Sequence, residues 1–532
     1  MMHEQEFDFV IVGGGSAGCV LANRLSQNSG HRVCLVEAGP KDNKALIQMP
    51  AGVAGILSTK NYNWAFKTVP QAGLNNRRGY QPRGKVLGGC SSINGMVYTR
   101  GHPKDYDEWE SLGNAGWGYK DVLPYFKRSQ NQERGASEYH GVGGMLNVAD
   151  QRNDDTFAKV FVEAGREIQL PMQDDFNGRI QEGLGIYQVT QKDGLRCSAA
   201  KAFLSPIGVR PNLKIITGAM ARRILLEGKK AVGVEISIGG QQSTIKANRE
   251  VILSAGTFQS PQLLLLSGIG PADAIQPHGL EVLHELPGVG RNFQDHIDYI
   301  ENVRAKTINT IGVSLRGGPF MAKQVFKFFN GRRGLFASNG AEGGAFLKTR
   351  PDLDKPDIQI HFFLLMIDDH MRKFNFGHGY GAAVCVLRPK SRGYIGLNSA
   401  DPMDAPLIDP NFLSDENDLD TLVDGYKLTR RILDAPAFDP HRKCSLYPVD
   451  VNDDAAIRAA MRERADSVYH PVGSCKMGTD PMAVVDPQLR VRGIQGLRVV
   501  DASIMPTLIG GNTNAPAIMI AEKASDMILH ST

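Results

Sequence analysis

Nowhere in its 532 residues does the chain hold the roughly 18 uninterrupted apolar side chains that a membrane span requires. A soluble protein is expected. A strong charge of one sign is missing too: 60 Lys and Arg against 56 Asp and Glu leave a formal +4, which excludes nucleic acid as a partner and favours small molecules. Cys19, Cys34, Cys90, Cys197, Cys385, Cys444 and Cys475 never fall in a Cys-x-x-Cys spacing. That pattern excludes a zinc site, predicts no metal and fits a reducing compartment. The N-terminus, from Met1 to Val10, is acidic and runs straight into a strand, so an ordinary secretory signal is excluded. The expected location is the cytoplasm. Peripheral attachment to the inner face of a membrane stays open, because an interfacial patch leaves no mark as clear as a span. No repeat or low-complexity tract is visible.

What the chain does have is length enough for more than one core, and abundant glycine. Phe7 to Val12 reads as a buried strand, Ala17 to Leu25 has helical spacing and Arg32 to Glu37 is a second apolar strand: a β-α-β unit. Leu213 to Thr217, Ala231 to Ile238 and Glu250 to Ser254 suit further strands of the same sheet, as does Leu497 to Asp501. From Tyr299 to Met461 the period changes. Alternating stretches at Asp357 to Phe363 and Ala383 to Leu387 predict an antiparallel sheet, with a helix around Leu419 to Leu433. The fold class is therefore α/β plus α+β: a Rossmann-like nucleotide domain (1–155, 190–298 and 462–532) and a discontinuous substrate domain (156–189 and 299–461).

The sharpest local signal is Val12-Gly13-Gly14-Gly15-Ser16-Ala17-Gly18. Gly13 permits a tight turn, Gly15 lets the backbone approach a pyrophosphate, and Gly18 lets helix and strand pack closely. Glu37 ends the second strand 19 residues after Gly18, where a carboxylate can accept hydrogen bonds from an adenosine ribose. It disfavours a 2′-phosphate but does not separate NAD from FAD.

Four segments together resemble the glucose-methanol-choline (GMC) oxidoreductases, flavoenzymes that oxidise alcohols. They are the glycine turn continued by Val36-Glu37-Ala38-Gly39; Gly84-Lys-Val-Leu-Gly-Gly-Cys-Ser-Ser-Ile-Asn-Gly-Met-Val-Tyr98; Gly256-Thr-Phe-Gln-Ser-Pro-Gln-Leu-Leu-Leu-Leu-Ser-Gly-Ile-Gly270 with Pro287 to His296; and Tyr469-His-Pro-Val-Gly-Ser-Cys-Lys-Met-Gly478 with Val500 to Pro506 and Gly511 to Pro516. The resemblance spans nearly the whole chain. It implies FAD, held by Gly13, Gly15, Ser16, Ala17, Gly18, Glu37 and Ala38, by Gly88, Ser92, Asn94, Gly95, Met96 and Val97, by Ala221, Ala255 and Gly256, and by Asp501, Ala502, Asn512, Asn514, Ala515 and Pro516. Ile93 stands where covalent members carry the attachment histidine, so non-covalent FAD is expected.

The same resemblance implies His470 as the base that takes the hydroxyl proton and Asn514 as the second catalytic residue, holding the substrate oxygen. Glu342 falls near the position where choline oxidisers place a carboxylate for the trimethylammonium group. The expected reaction is oxidation of a primary alcohol to the aldehyde, with electrons passed to a quinone or other acceptor. The alternatives are a choline dehydrogenase, an oxygen-using oxidase and a flavin-fold lyase. The oligomeric state is left open.

Overall fold

The computed structural model describes residues 5–154 and 156–530. The first four residues, read above as an acidic N-terminal tip, and the expected boundary at 155 lie outside the described residues. Two seven-stranded sheets organise the chain.

In the first sheet the strands stand side by side in the order Leu213–Thr217, Val33–Glu37, Gln5–Val12, Gln241–Leu253, Lys230–Ile238 and Ala219–Glu227, with Leu497–Val499 also paired to Gln241–Leu253. The pairings among the first four, and that of Leu497–Val499, are parallel, whereas Lys230–Ile238 and Ala219–Glu227 join antiparallel. The parallel strands are buried on both faces, with the helix Ser16–Leu25 packed on Gln5–Val12 and Val33–Glu37, which explains the unbroken apolar runs: Phe9, Val10, Ile11, Val33, Cys34 and Leu35 are wholly buried. Ser16–Leu25 forms the crossover helix. Beside it packs the C-terminal helix Asn514–His530, whose buried Glu522 meets Arg24 at 2.7 Å and Arg128 at 2.8 Å. The Arg24–Glu522 pair ties the two helices together, and Arg128, from the helix Tyr119–Ser129, completes the pairing of the buried carboxylate.

The second sheet runs in the order Arg442–Ser445, Ile297–Ala305, Gly379–Val386, Ile358–Phe363, Ala341–Leu347 and Gly183–Ile186, antiparallel throughout. The helix Glu416–Leu433 lies against it, capped by the Asp415 side chain, which accepts from the amide of Asn417 at 2.9 Å. It buries Leu419, Leu422, Val423, Tyr426, Ile432 and Leu433, apolar burial worth about 2 kcal/mol for each of the larger aliphatic side chains. The short strand Asp466–Ser467 pairs with Ile297–Ala305, so the second sheet reaches past the boundary expected at 462. Among the described residues, no helix is long and apolar enough to cross a membrane.

Candidate active site

A cavity of about 530 Å³ opens between the two sheets. At one end lies the glycine turn. Gly13 has φ +104°, and a Cβ there would stand 2.4 Å from the Ser254 carbonyl oxygen. Gly18 sits so close that its Cβ would be 1.9 Å from the Gly13 carbonyl oxygen, which is why the helix can begin tight against the strand. Glu37 is buried, and its two carboxylate oxygens accept the amides of Gly14 (2.8 Å) and Gly39 (2.7 Å). Burial raises its pKa to about 7 despite those bonds. The second segment folds over the first, the Gly88 amide donating to the Gly14 carbonyl at 2.7 Å.

Of the residues expected to hold FAD, Gly13, Gly15, Ser16, Ala17, Glu37, Ala38, Asn94, Gly95, Met96, Val97, Ala221, Ala255, Gly256, Asp501, Ala502, Asn512 and Asn514 line this one cavity. The others stand behind its wall. Gly18 and Gly88 act through packing and backbone, Ser92 donates to the Leu87 carbonyl at 2.8 Å, and Ala515 and Pro516 are buried in the first turn of the C-terminal helix. Asp501 is fully engaged. One carboxylate oxygen accepts from the Gly256 amide (2.9 Å) and the Ser260 hydroxyl (2.6 Å), and the other from the Ser503 amide (2.8 Å), leaving its backbone to face a ligand. The cradle fits FAD: two helix N-termini suited to a pyrophosphate converge where the Ser16 hydroxyl donates to Asn514 Oδ1 at 2.7 Å, with Glu37 beyond them for a ribose.

That bond corrects the expectation for Asn514. Its side chain is tied to Ser16 beside the glycine turn, and the amide that meets His470 belongs to Asn512. Asn512 Oδ1 accepts from the Thr99 hydroxyl at 3.0 Å and Gln359 Nε2 at 3.1 Å. With its oxygen held on that side, its NH₂ points to His470 Nε2 at 3.1 Å and to His361 Nε2 at 3.4 Å.

The protonation of His470 follows from its neighbours. The carbonyl of Leu387 can only accept, so His296 carries its proton on Nε2, 3.1 Å away. Burial holds that imidazole neutral, its pKa pushed down to about 3, so its Nδ1 is an acceptor. The contact of 3.0 Å between His296 Nδ1 and His470 Nδ1 then requires the proton on His470. Burial, and next the neighbouring His296, press the pKa of His470 well below the ordinary imidazole range. Its Nε2 is consequently unprotonated, an acceptor at the cavity that the Asn512 NH₂ meets at 3.1 Å. Asp295, next to His296, accepts the His470 backbone amide at 2.8 Å and the Ser467 hydroxyl at 2.5 Å, so consecutive residues hold the ring and the main chain of one histidine.

Glu342 is corrected as well. On its strand Ala341 faces the cavity, and Glu342 faces away into the core, where its Oε1 accepts from Asn153 Nδ2 at 3.0 Å. Among the carboxyls that do line the cavity is Asp298, pushed well above the ordinary carboxylate range by burial, then by Asp466 and Asp295. His361, with a buried Nδ1 lacking a partner and a pKa lowered by burial to about 4, completes the polar end. Asp298, His361 and the role of His296 were missed from sequence; the Gln-Asp-His run was the one available signal for His296, 174 residues from its partner.

Asn512→Ala is expected to slow flavin bleaching by an alcohol about tenfold to a hundredfold, the worth of one hydrogen bond to a developing charge. Asn514→Ala should change FAD retention more than that rate. Rapid-mixing absorbance with each variant checks the order.

Two family models match the chain, both described as GMC oxidoreductase, over residues 7–298 and 389–521. An alcohol dehydrogenase [acceptor] of Pseudomonas putida is 50% identical over 98% of this chain and 96% of its own. An oxygen-dependent choline dehydrogenase of Brucella anthropi is 44% identical over 99% and 96%. The crystal structure of a pyridoxine 4-oxidase from Mesorbium loti superposes with a TM-score of 0.89 at 30% identity, covering 98% of this chain and 99% of that one. With the cradle and the histidine pair, these matches establish that the chain belongs to the GMC oxidoreductase family and is an FAD-dependent oxidoreductase.

Proposed function

We propose that the protein oxidises a non-cationic primary alcohol to its aldehyde and passes the electrons to a quinone or another carrier at a membrane surface. The observation that carries this reading is the unprotonated Nε2 of His470 at the cavity, beside the Asn512 NH₂. Bound FAD supplies the two-electron acceptor for the hydride of the alcohol carbon. The rest is done by the chain. His470 Nε2 takes the hydroxyl proton, and the Asn512 NH₂ steadies the oxygen as negative charge grows on it. His296 keeps the His470 proton on Nδ1, so the reacting nitrogen stays unprotonated. Phe363, Leu365, Ile367 and Val97 give the substrate end an apolar wall, which suits the chain of a non-cationic alcohol.

A second reading, a choline-type substrate, is favoured by one observation, the Asp298 carboxyl in the cavity. Comparing kcat/KM for choline and a series of straight-chain primary alcohols, in wild type and Asp298→Asn, separates the two. The first reading expects alcohol turnover that Asp298→Asn leaves within a few fold. Turnover of choline alone, lost in Asp298→Asn, would overturn it.

A further inference from the structure

Away from the cavity, the segment from Asn302 to Ala341 holds seven Lys or Arg and no Asp or Glu. Its helix, Gly318–Phe329, is apolar on two sides. Phe320 and Met321 pack inwards against the core of the second sheet, and Phe328 is buried beside Phe336. Ala322, Val325, Phe326 and Phe329 recur at i, i+3, i+4 and i+7 on the outer side, where Phe326 is 67% and Phe329 78% exposed. An ordinary surface helix is polar there.

The apolar surface continues beyond the helix. Leu315, just before it, is 100% exposed. The same loop is joined to a second one by backbone bonds between Val313 and Gly377, of 3.2 and 2.9 Å. That second loop presents Phe374 and Phe376, also exposed and packed edge to face at 4.9 Å. Three neighbouring pieces of chain thus expose large apolar side chains, where a monomer in water normally scatters them singly. Arg316 and Lys323 stand exposed among them, on a segment without a single acid.

Aromatic rings beside Lys and Arg, on a helix segment without acids and next to a loop whose exposed Asp369 is paired with Arg372, complement an anionic lipid surface: the rings suit the boundary between headgroups and acyl chains, and the long cationic side chains reach the phosphates. We propose that this face docks the protein on an anionic bilayer, with Leu315, Phe326, Phe329 and the Phe374–Phe376 loop inserted and Arg316 and Lys323 at the headgroups. The cavity wall formed by Leu365, Ile367 and Met371 runs directly into that loop, so docking would bring the cavity beside the lipid in which apolar alcohols and quinones dissolve. This use of the surface rests on the membrane-quinone reading above; the docking itself does not.

Sedimentation of the holoenzyme with vesicles tests it. Binding is expected to equimolar phosphatidylcholine and phosphatidylglycerol, to be much weaker to phosphatidylcholine alone, and to weaken with added salt. Phe326→Ser with Phe329→Ser, and separately Arg316→Glu with Lys323→Glu, should each lower partitioning about tenfold or more. Val209→Ser, at another exposed apolar side chain, should not. Turnover of a short alcohol with a water-soluble dye should be unchanged in all of them, which shows that they fold. Equal sedimentation of wild type and both double variants would overturn the proposal. So would a wild-type dimer in light scattering that the phenylalanine substitutions dissociate while no vesicles are bound, since a second copy would then cover the face. Normal docking without electron transfer to a membrane quinone would contradict the quinone reading alone.

Discussion

His470→Ala is expected to keep FAD bound while bleaching of the flavin by a primary alcohol slows by about 10²–10⁴-fold, the usual contribution of a positioned general base. The cofactor cradle lies mostly on the first sheet and its helices, so removing a side chain at the far end of the cavity spares it. The wild-type pH profile carries the same prediction with a definite sign. A base works in its unprotonated form, and burial together with His296 holds the folded-state pKa of His470 below that of a free imidazole. The kcat/KM for the alcohol should therefore be level through neutrality and fall only in acid, below the ordinary value of about 6.5. Rapid mixing across pH measures both. A wild-type rate in His470→Ala would remove the assignment.

Gly18→Ala is expected to yield protein that purifies without colour. The added Cβ would lie 1.9 Å from the Gly13 carbonyl oxygen, a backbone atom that cannot swing aside, so the helix Ser16–Leu25 must move off the strand that ends at Val12. Overpacking of this kind costs about 3 kcal/mol or more, and here the strain falls on the turn that meets the pyrophosphate. Gly331→Ala, where the new Cβ finds its nearest neighbour at 3.8 Å, is the control and should stay yellow. The ratio of flavin to protein absorbance decides it, and a full FAD complement in Gly18→Ala would show that close packing is not what the turn requires.

How far a sequence reading reaches can be seen strand by strand. Residues 33–36 and the end of Gln241–Leu253 were legible because a parallel strand buried on both faces is apolar at every position. Ile297–Ala305 was not, since its run Ile-Asp-Tyr-Ile-Glu-Asn-Val-Arg-Ala mixes in polar residues that are nonetheless buried. Asp298 faces the cavity and Glu301 accepts from the Ser445 hydroxyl at 2.6 Å. The C-terminal helix was hidden behind Gly-Asn-Thr-Asn and Pro516, which read as a turn until proline is placed in the first helical turn, where its missing amide costs nothing.

The site shows the same division. The glycine turn, Glu37 and His470 could be found because each belongs to a local pattern. Asn512 and Asn514 are two residues apart with the same side chain, and what tells them apart comes from elsewhere in the chain: Thr99 and Gln359 hold the first toward His470, and Ser16 holds the second. Glu342 and Asp298 differ for a similar reason. Which of two carboxylates meets the substrate depends on which face of its strand turns to the cavity, and no periodicity in a seven-residue strand rich in glycine fixes that face.

The most direct test of the account is to mix the purified FAD-bound protein anaerobically with straight-chain primary alcohols and follow the flavin absorbance. The account predicts bleaching, with one aldehyde formed for each flavin. Flavin that stays oxidised with every alcohol, while a cyanohydrin is cleaved by the same preparation, would contradict it.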